Sequence, residues 1–301
     1  MINRRRVISI IASASAMPIL PLIGAQASNN VRQWQGIALG ANAQIILDHP
    51  KADSLIEMAL TEINRLEKIF SLFDNKSQIS VLNKTGSLEN PAFELTELLS
   101  ISSIIHNRTN GAFNPSVQPL WALYAKSYAN GNAPTIAEIN LAKAVSGWDN
   151  VSYSASQISF KKQGVAITLN GIAQGYIGDK IRELFVRNGV NNVLINTGEI
   201  FAMGQSPKQQ DWQVKIANSE KSISLNNMAI ATSATFGTVF DKDNRVSHII
   251  DARTGQAATK PRQISVIAKS AAIADGLSTG FAIMNKNQID NSINDEQVIF
   301  S

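Results

Sequence analysis

The chain has 301 residues, 27 of them basic and 23 acidic, for a formal net charge of +4, and it contains no cysteine. The missing cysteine excludes disulfides, thiolate chemistry, zinc–thiolate sites and iron–sulfur ligation, and only three histidines (His49, His106, His248) argue against a multi-histidine centre. Any metal would be held mainly by oxygen, which points to Mg²⁺ or Ca²⁺.

Residues 1–27 read as an export signal. Arg4, Arg5 and Arg6 form a basic start, Val7 to Ile23 is mainly apolar or small, and Ala25-Gln26-Ala27 is an A-x-A cleavage site. The order Asn3-Arg4-Arg5-Arg6-Val7-Ile8 is close to a twin-arginine signal. An ordinary secretory signal, whose arginines only supply charge, is the alternative. The mature protein is then expected to be one domain, 28–301, in the periplasm or otherwise outside the cytoplasm. Setting the three arginines aside leaves 24 basic against 23 acidic residues and no Lys/Arg-rich run. That argues against nucleic acid and anionic membranes as partners. No second apolar run of roughly 18 residues follows, so no membrane insertion of the mature chain is expected.

Trp34 to Leu47 alternates loosely and reads as an opening strand. A helix begins at Pro50, with Leu55, Ala59, Ile63, Leu66 and Phe70 as its apolar stripe. Ser71 to Asn83 reads as a polar turn region leading into a short segment around Ile79 and Leu82. Pro91 opens a second helix, buried through Leu95, Leu98, Leu99, Ile101 and Ile105, and Gly111 ends it. Gln157–Phe160 and Val165–Leu169 read as a hairpin around a turn at 161–164. The second of these runs into Gly171 and Gly175, which precede an amphipathic helix with Ile177, Ile181, Leu184 and Phe185 on one face, closed by Gly189. Such a turn suits a phosphate. Strands are expected at 193–195, 212–216, 246–250 and 264–268, then a buried helix from Ala271 to Met284. Interleaved elements with hairpins favour α+β or mixed α/β over a doubly wound sheet.

Two places could carry chemistry. His248, in SHIIDARTG, is placed at a strand end passing into a turn. It can serve as a general base near neutral pH or as a structural group bonded to a carbonyl. Asp251 and Arg253 can pair with each other or cap that turn. Asp275 and Thr279 are four apart on the last helix, hence on one face, among Ala271, Ala272, Ala274, Leu277 and Phe281. A carboxylate in such surroundings is costly unless it is paired, caps a loop or binds a metal. A phosphate-suited turn, a partial Mg²⁺ site and a base together suit phosphoryl or nucleotidyl transfer. Neither a Walker lysine motif nor GxGxxG is present.

Seven blocks, in order, carry a resemblance: FSLFDNKSQISVLN (70–83), GAFNPSVQPLW (111–121), ITLNGIAQGYIGDK (167–180), VLINTGEIFAMG (193–204), AIATSATFG (229–237), HIIDARTG (248–255) and ADGLSTGFAIM (274–284). On these the chain resembles the ApbE family, flavin transferases that move FMN from FAD onto a threonine of an acceptor protein. The wording TLNGIAQGY looks most like the exported branch associated with nitrous-oxide reductase maturation. The resemblance implies an α+β fold of mixed sheets and packed helices, with FAD in a cleft between lobes and Mg²⁺ on its pyrophosphate. It places Asp275 and Thr279 as Mg²⁺-binding side chains, Gly171 and Ala272 as metal-coordinating backbone positions, and Leu39, Tyr124, Thr168, Gln174 and Ile249 along the FAD site. It makes His248 the group that activates the acceptor hydroxyl, and the partner an exported or membrane flavoprotein carrying the target threonine. Three positions depart from the common pattern: Thr168 stands where Asp is frequent, Gln174 where Lys is common, and Ala252 replaces a proline. The first two remove charge near the expected FAD site. A Mg²⁺-dependent FAD pyrophosphatase and a low-turnover FAD-binding assembly factor are the alternatives.

Overall fold

In a computed structural model, residues 30–38, 40–216, 220 and 222–301 are described. The expectations for the 1–27 signal and for Leu39 lie outside them.

The opening stretch is a hairpin rather than one strand. β1 (Val31–Ala38) pairs antiparallel with β2 (Ala41–Asp48). The alternation reads through both strands because the pairing runs up to Ala38 with Ala41, with no polar stretch in the sequence to mark a break. Helix α1 (Ala52–Phe70) buries Leu55, Ala59, Ile63, Leu66 and Phe70 as its spacing requires. The segment expected to be a polar turn contains α2 (Gln78–Thr85). Ser77 caps it by accepting from the Ser80 amide at 3.2 Å. Only Ile79 and Leu82 are buried on it, too few for a period to show.

β3 (Ser87–Glu89) leads into α3 (Phe93–Arg108), then α4 (Gln118–Ala129) and α5 (Ile136–Val145). β4 (Val151–Tyr153) and β5 (Gln157–Phe160) follow, and β5 lies between β3 and β4 in a small antiparallel sheet. Its expected partner, Val165–Leu169, is not a strand. The Asn83 side chain takes the place of a ladder there, donating to the Ile167 carbonyl and accepting from the Ile167 amide, both at 2.8 Å. The Thr168 amide donates to the Pro115 carbonyl at 2.8 Å.

Helix α6 (Ala173–Arg187) buries Ile177, Ile181 and Phe185 completely, each worth about 1.5–3 kcal/mol of transfer free energy. The remaining elements build the main sheet: β6 (Val193–Asn196), β7 (Ile200–Met203), β10 (Met228–Ala234), β13 (Gln263–Ala268) and β14 (Gln297–Phe300), with the hairpin β8 (Trp212–Lys215) and β9 (Ser222–Leu225) to one side. The sheet is wholly antiparallel in the order β1-β2-β6-β7-β10-β13-β14. Period 2 splits its two faces. Ala229, Ala231, Ile264, Val266 and Ala268 join the helical core. Leu194, Ala202, Ile230 and Ile267 pack with Trp212, Val214 and Leu225 of the hairpin.

The expected strand 246–250 shrinks to one bridge, Val239 with Ser247, and to β11 (Ile250–Asp251) paired with β12 (Gln256–Ala257). Helix α7 (Ala271–Phe281) crosses the core beside α6, and α8 (Lys286–Asp290) follows it. Helices gathered on an antiparallel sheet make this an α+β fold. No helix among the described residues is long and apolar enough to cross a membrane.

Candidate active site

Helices α6 and α7 exchange carboxylates at their N-termini. Asp179 of α6 accepts from the Ser270 hydroxyl at 2.6 Å and from the Ala271 and Ala272 amides, each at 3.0 Å. Those are first-turn donors with no partner inside their own helix. In return, Asp275 of α7 accepts the Gly175 amide at 3.1 Å through Oδ2. The exchange needs close contact, and Gly175 permits it: a Cβ there would overlap the Ala271 carbonyl. Gly175 is therefore inside the first turn of α6 rather than in a loop before it. Its amide, which the sequence offers to a phosphate, is turned to Asp275.

Asp275 is 4% exposed, and burial pushes its pKa up to about 7 against the pull of the Gly175 amide. Oδ1 has no hydrogen-bond donor among the described residues. Nearby, Thr279 Oγ1 lies 3.4 Å from the Gly171 carbonyl oxygen and 3.3 Å from Ser233 Oγ, which is 2.8 Å from Ser278 Oγ. The expected set Gly171, Asp275 and Thr279 thus meets where α7 crosses the end of β10 and the 168–172 segment. Ala272 is one turn behind Asp275, and its amide is held by Asp179.

One residue here was missed by the sequence reading. Glu199, in the turn between β6 and β7, accepts the Thr232 amide at 3.1 Å. Burial first, and then the negative charge of Asp275, push its pKa well above the usual carboxylate range, with the Thr232 amide opposing. The available signal was an acid directly after Gly198 in a strand–turn–strand otherwise free of charge from Val193 to Gly204. Gly198 has φ 108°, and a Cβ on it would meet the Gln174 side-chain amide at 2.6 Å. Gln174 therefore packs against this turn, and its carbonyl accepts from Thr197 Oγ1 at 3.0 Å. Thr168 Oγ1 accepts from the Asn170 amide at 3.2 Å.

His248 belongs to a second cluster. Its amide and its Nδ1 both donate to the Thr238 carbonyl, at 3.2 and 2.9 Å. A carbonyl only accepts, so the proton sits on Nδ1 and Nε2 keeps its lone pair. Burial lowers the imidazole pKa and the Thr238 carbonyl pulls it back up. The ring is neutral at pH 7, as a base must be. The next turn is clamped by Asp251 and Arg253, which pair at 2.8 Å through both Nε and Nη2, while Asp251 Oδ1 also takes the Arg253 amide. Buried Ile249 accepts the Ala258 amide at 2.9 Å. Tyr124 is 4% exposed and donates its hydroxyl to the Gly255 carbonyl at 3.1 Å, so it braces this turn. The two clusters are joined through β10. Ser233 touches Thr279, and two residues later the Thr235 carbonyl accepts the Ser247 hydroxyl.

The structure is thus an α+β protein with a buried carboxylate on the same helix face as Thr279, and a histidine with a free Nε2 lone pair on an adjoining segment. The ApbE family model matches residues 39–300, and the chain belongs to that family. Among its relatives, an FAD:protein FMN transferase of Vibrio cholerae is 28% identical over 246 residues, covering 76% of this chain and 74% of its own. One of Haemophilus influenzae is 24% identical over 314 residues, covering 95% and 89%. Among solved structures, the ApbE protein of Thermotoga maritima superposes with TM-score 0.77 at 27% identity, covering 87% of this chain and 89% of that one. The apo flavinyl transferase ApbE of Pseudomonas stutzeri gives TM-score 0.77 at 24% identity over 87% of each chain, a likeness of fold.

Proposed function

We propose that this chain is an FAD:protein FMN transferase that moves FMN from FAD onto a threonine of an acceptor flavoprotein and releases AMP. The observation that carries the reading is Asp275, buried with one oxygen held by Gly175 and the other without a donor, in a chain that matches the family model over 39–300.

The donor set fits Mg²⁺. It is all oxygen, and among the described residues no group of three or more His, Cys, Asp or Glu gathers around a common point. Few protein ligands and a remainder from water and phosphate are what Mg²⁺ tolerates. Asp275, Thr279 and the Gly171 carbonyl would hold it, and when bound it supplies positive charge to pyrophosphate oxygens. The Gly175 amide keeps Asp275 oriented, and Ser233 keeps Thr279 in place. His248 Nε2 takes the proton of the acceptor threonine hydroxyl. The threonine oxygen forms a bond to the FMN-side phosphorus while that phosphorus loses its bond to the bridging oxygen, which leaves with its electron pair on AMP. The Thr238 carbonyl stabilises the imidazolium through Nδ1.

The test is to incubate the full chain with FAD, MgCl₂ and a candidate exported flavoprotein. The expected result is covalent flavin fluorescence on the acceptor with one AMP per label. Free FMN and AMP with an unlabelled acceptor would make it a pyrophosphatase. Unchanged, retained FAD would make it a binding factor.

The same reading extends to location. Residues 1–27 are a cleaved, twin-arginine-type signal ahead of a single domain, and the acceptor is met outside the cytoplasm, in the branch that serves nitrous-oxide reductase. The basic, apolar and A-x-A order of the first 27 residues supports this. Replacing Arg4 and Arg5 by lysine should block export, and normal periplasmic accumulation of that variant would refute the route.

A further inference from the structure

We propose that Glu199 is the second carboxylate of the cation site and, with Asp275, supplies the charge that draws in and retains Mg²⁺. This rests on the Mg²⁺ reading above. The placement is fixed from two sides. On the sheet side, Oε2 accepts the Thr232 amide at 3.1 Å, and Thr232 precedes Ser233, the residue that touches Thr279. On the helix side, Thr197 is tied to the Gln174 carbonyl and Gly198 lies against the Gln174 side chain, while the neighbouring Gly175 amide holds Asp275. The Glu199 turn and Asp275 therefore share adjacent residues of one helix turn as their supports.

A structural duty explains only part of Glu199. The ladder between β7 and β10 ends at Ile230 paired with Ile200, so the Thr232 amide has no partner strand on that side. An oxygen there is required. A glutamine would supply that oxygen without charge. The chain instead sets a carboxylate on a turn that rests on Gln174, next to the Gly175 amide that holds Asp275, and neither carboxylate has a lysine or arginine partner among the described residues. Asp275 is buried and Glu199 half-buried, and two neighbouring carboxylates without a counter-ion are costly. A divalent cation between them removes that cost, and Asp275 Oδ1 is left without a donor to receive it.

Titrating MgCl₂ alone into the full chain by calorimetry, with thermal melts at each Mg²⁺ level, tests this without any turnover. Glu199→Gln keeps the acceptor for Thr232. It should weaken Mg²⁺ binding by roughly 10–100-fold. Its melting temperature should then rise less with Mg²⁺ than the wild type's. Mg²⁺ affinity and melting response equal to wild type in Glu199→Gln, alongside loss of binding in Asp275→Asn, would overturn the proposal and leave the Mg²⁺ reading standing. No binding to the wild type would overturn both. Should Glu199→Gln fail to fold, Glu199→Asp and Glu199→Asn form the comparison. The charged variant should bind Mg²⁺ several-fold more tightly, and equal affinities would overturn the proposal.

Discussion

The Asp275 cluster and the His248 cluster hold their groups by different means. Asp275 rides on a helix with Ala271, Ala274, Leu277 and Phe281 wholly or almost wholly buried, locked to α6 by four hydrogen bonds onto two carboxylates. His248 rides on a segment with one bridge and a two-residue strand, held by two bonds to a single carbonyl. The first is secured by packing, where a displaced atom disturbs many neighbours. The second is secured by a few directed bonds in a turn, where a side chain can be removed with little structural consequence. Rate and stability should therefore separate in one cluster and move together in the other.

The largest expected effect is at His248. In His248→Ala, transfer to the acceptor should fall by roughly 10²–10⁴-fold while FAD affinity and melting temperature stay near wild type. Single-turnover transfer and an FAD titration on the same preparation check this. A normal rate at saturating FAD with a lowered melting temperature would make the histidine structural. The pH profile sharpens the point. A histidine whose folded pKa is depressed stays neutral further into acid, so the wild-type rate should persist to lower pH than an ordinary imidazole, with its pKa of about 6.5, would allow. At saturating Mg²⁺, loss of activity already above pH 7 would contradict the half-buried, carbonyl-bonded ring.

Asp275→Asn comes next. Mg²⁺ affinity should drop by at least the roughly 10–100-fold that loss of an outer partner costs a metal site. Activity should recover in part at high Mg²⁺, measured as rate against MgCl₂. Gly175→Ala attacks the packing itself. The new methyl must push α6 off the Ala271 carbonyl, so stability should fall by about 1–3 kcal/mol in denaturant titrations, with Mg²⁺ affinity falling alongside. Unchanged stability would mean the helices are not locked as described. The smallest effect is expected from Thr279→Val, a milder form of the Asp275→Asn defect, because a neutral hydroxyl is a weaker ligand than a carboxylate.

The same division separates what could be read from the amino acids. Helices α1, α3, α6 and α7 follow from apolar spacing, and β6, β8 and β13 from short branched runs. Asp275 and Thr279 fall on one helical face by arithmetic. What packing and periodicity do not encode stayed hidden. The β1–β2 turn was lost inside an unbroken alternation. α2 has two buried residues and a serine cap. Val165–Leu169 looks like a strand, yet the amide and carbonyl of Ile167 at its centre are satisfied by one asparagine side chain 84 residues earlier. Glu199 serves an amide 33 residues away, a pairing no local pattern announces. The resemblance places Tyr124 along the FAD site by position, and its buried hydroxyl braces the Gly255 turn. The Asp251–Arg253 pair does both things open to it, closing on itself and capping the turn.

The crossed carboxylates of α6 and α7 decide how this site could be moved or rebuilt. Asp275 alone is not a portable ligand, because its orientation comes from an amide on the other helix. That helix is placed by Asp179, which in turn reads the first amides of the helix bearing Asp275. The smallest transplantable unit is the pair with its Gly175 contact intact. A chain cut in the exposed 208–210 turn would leave each piece with one carboxylate and the amides meant for the other, so neither piece alone could form the site and only their reassociation would restore it.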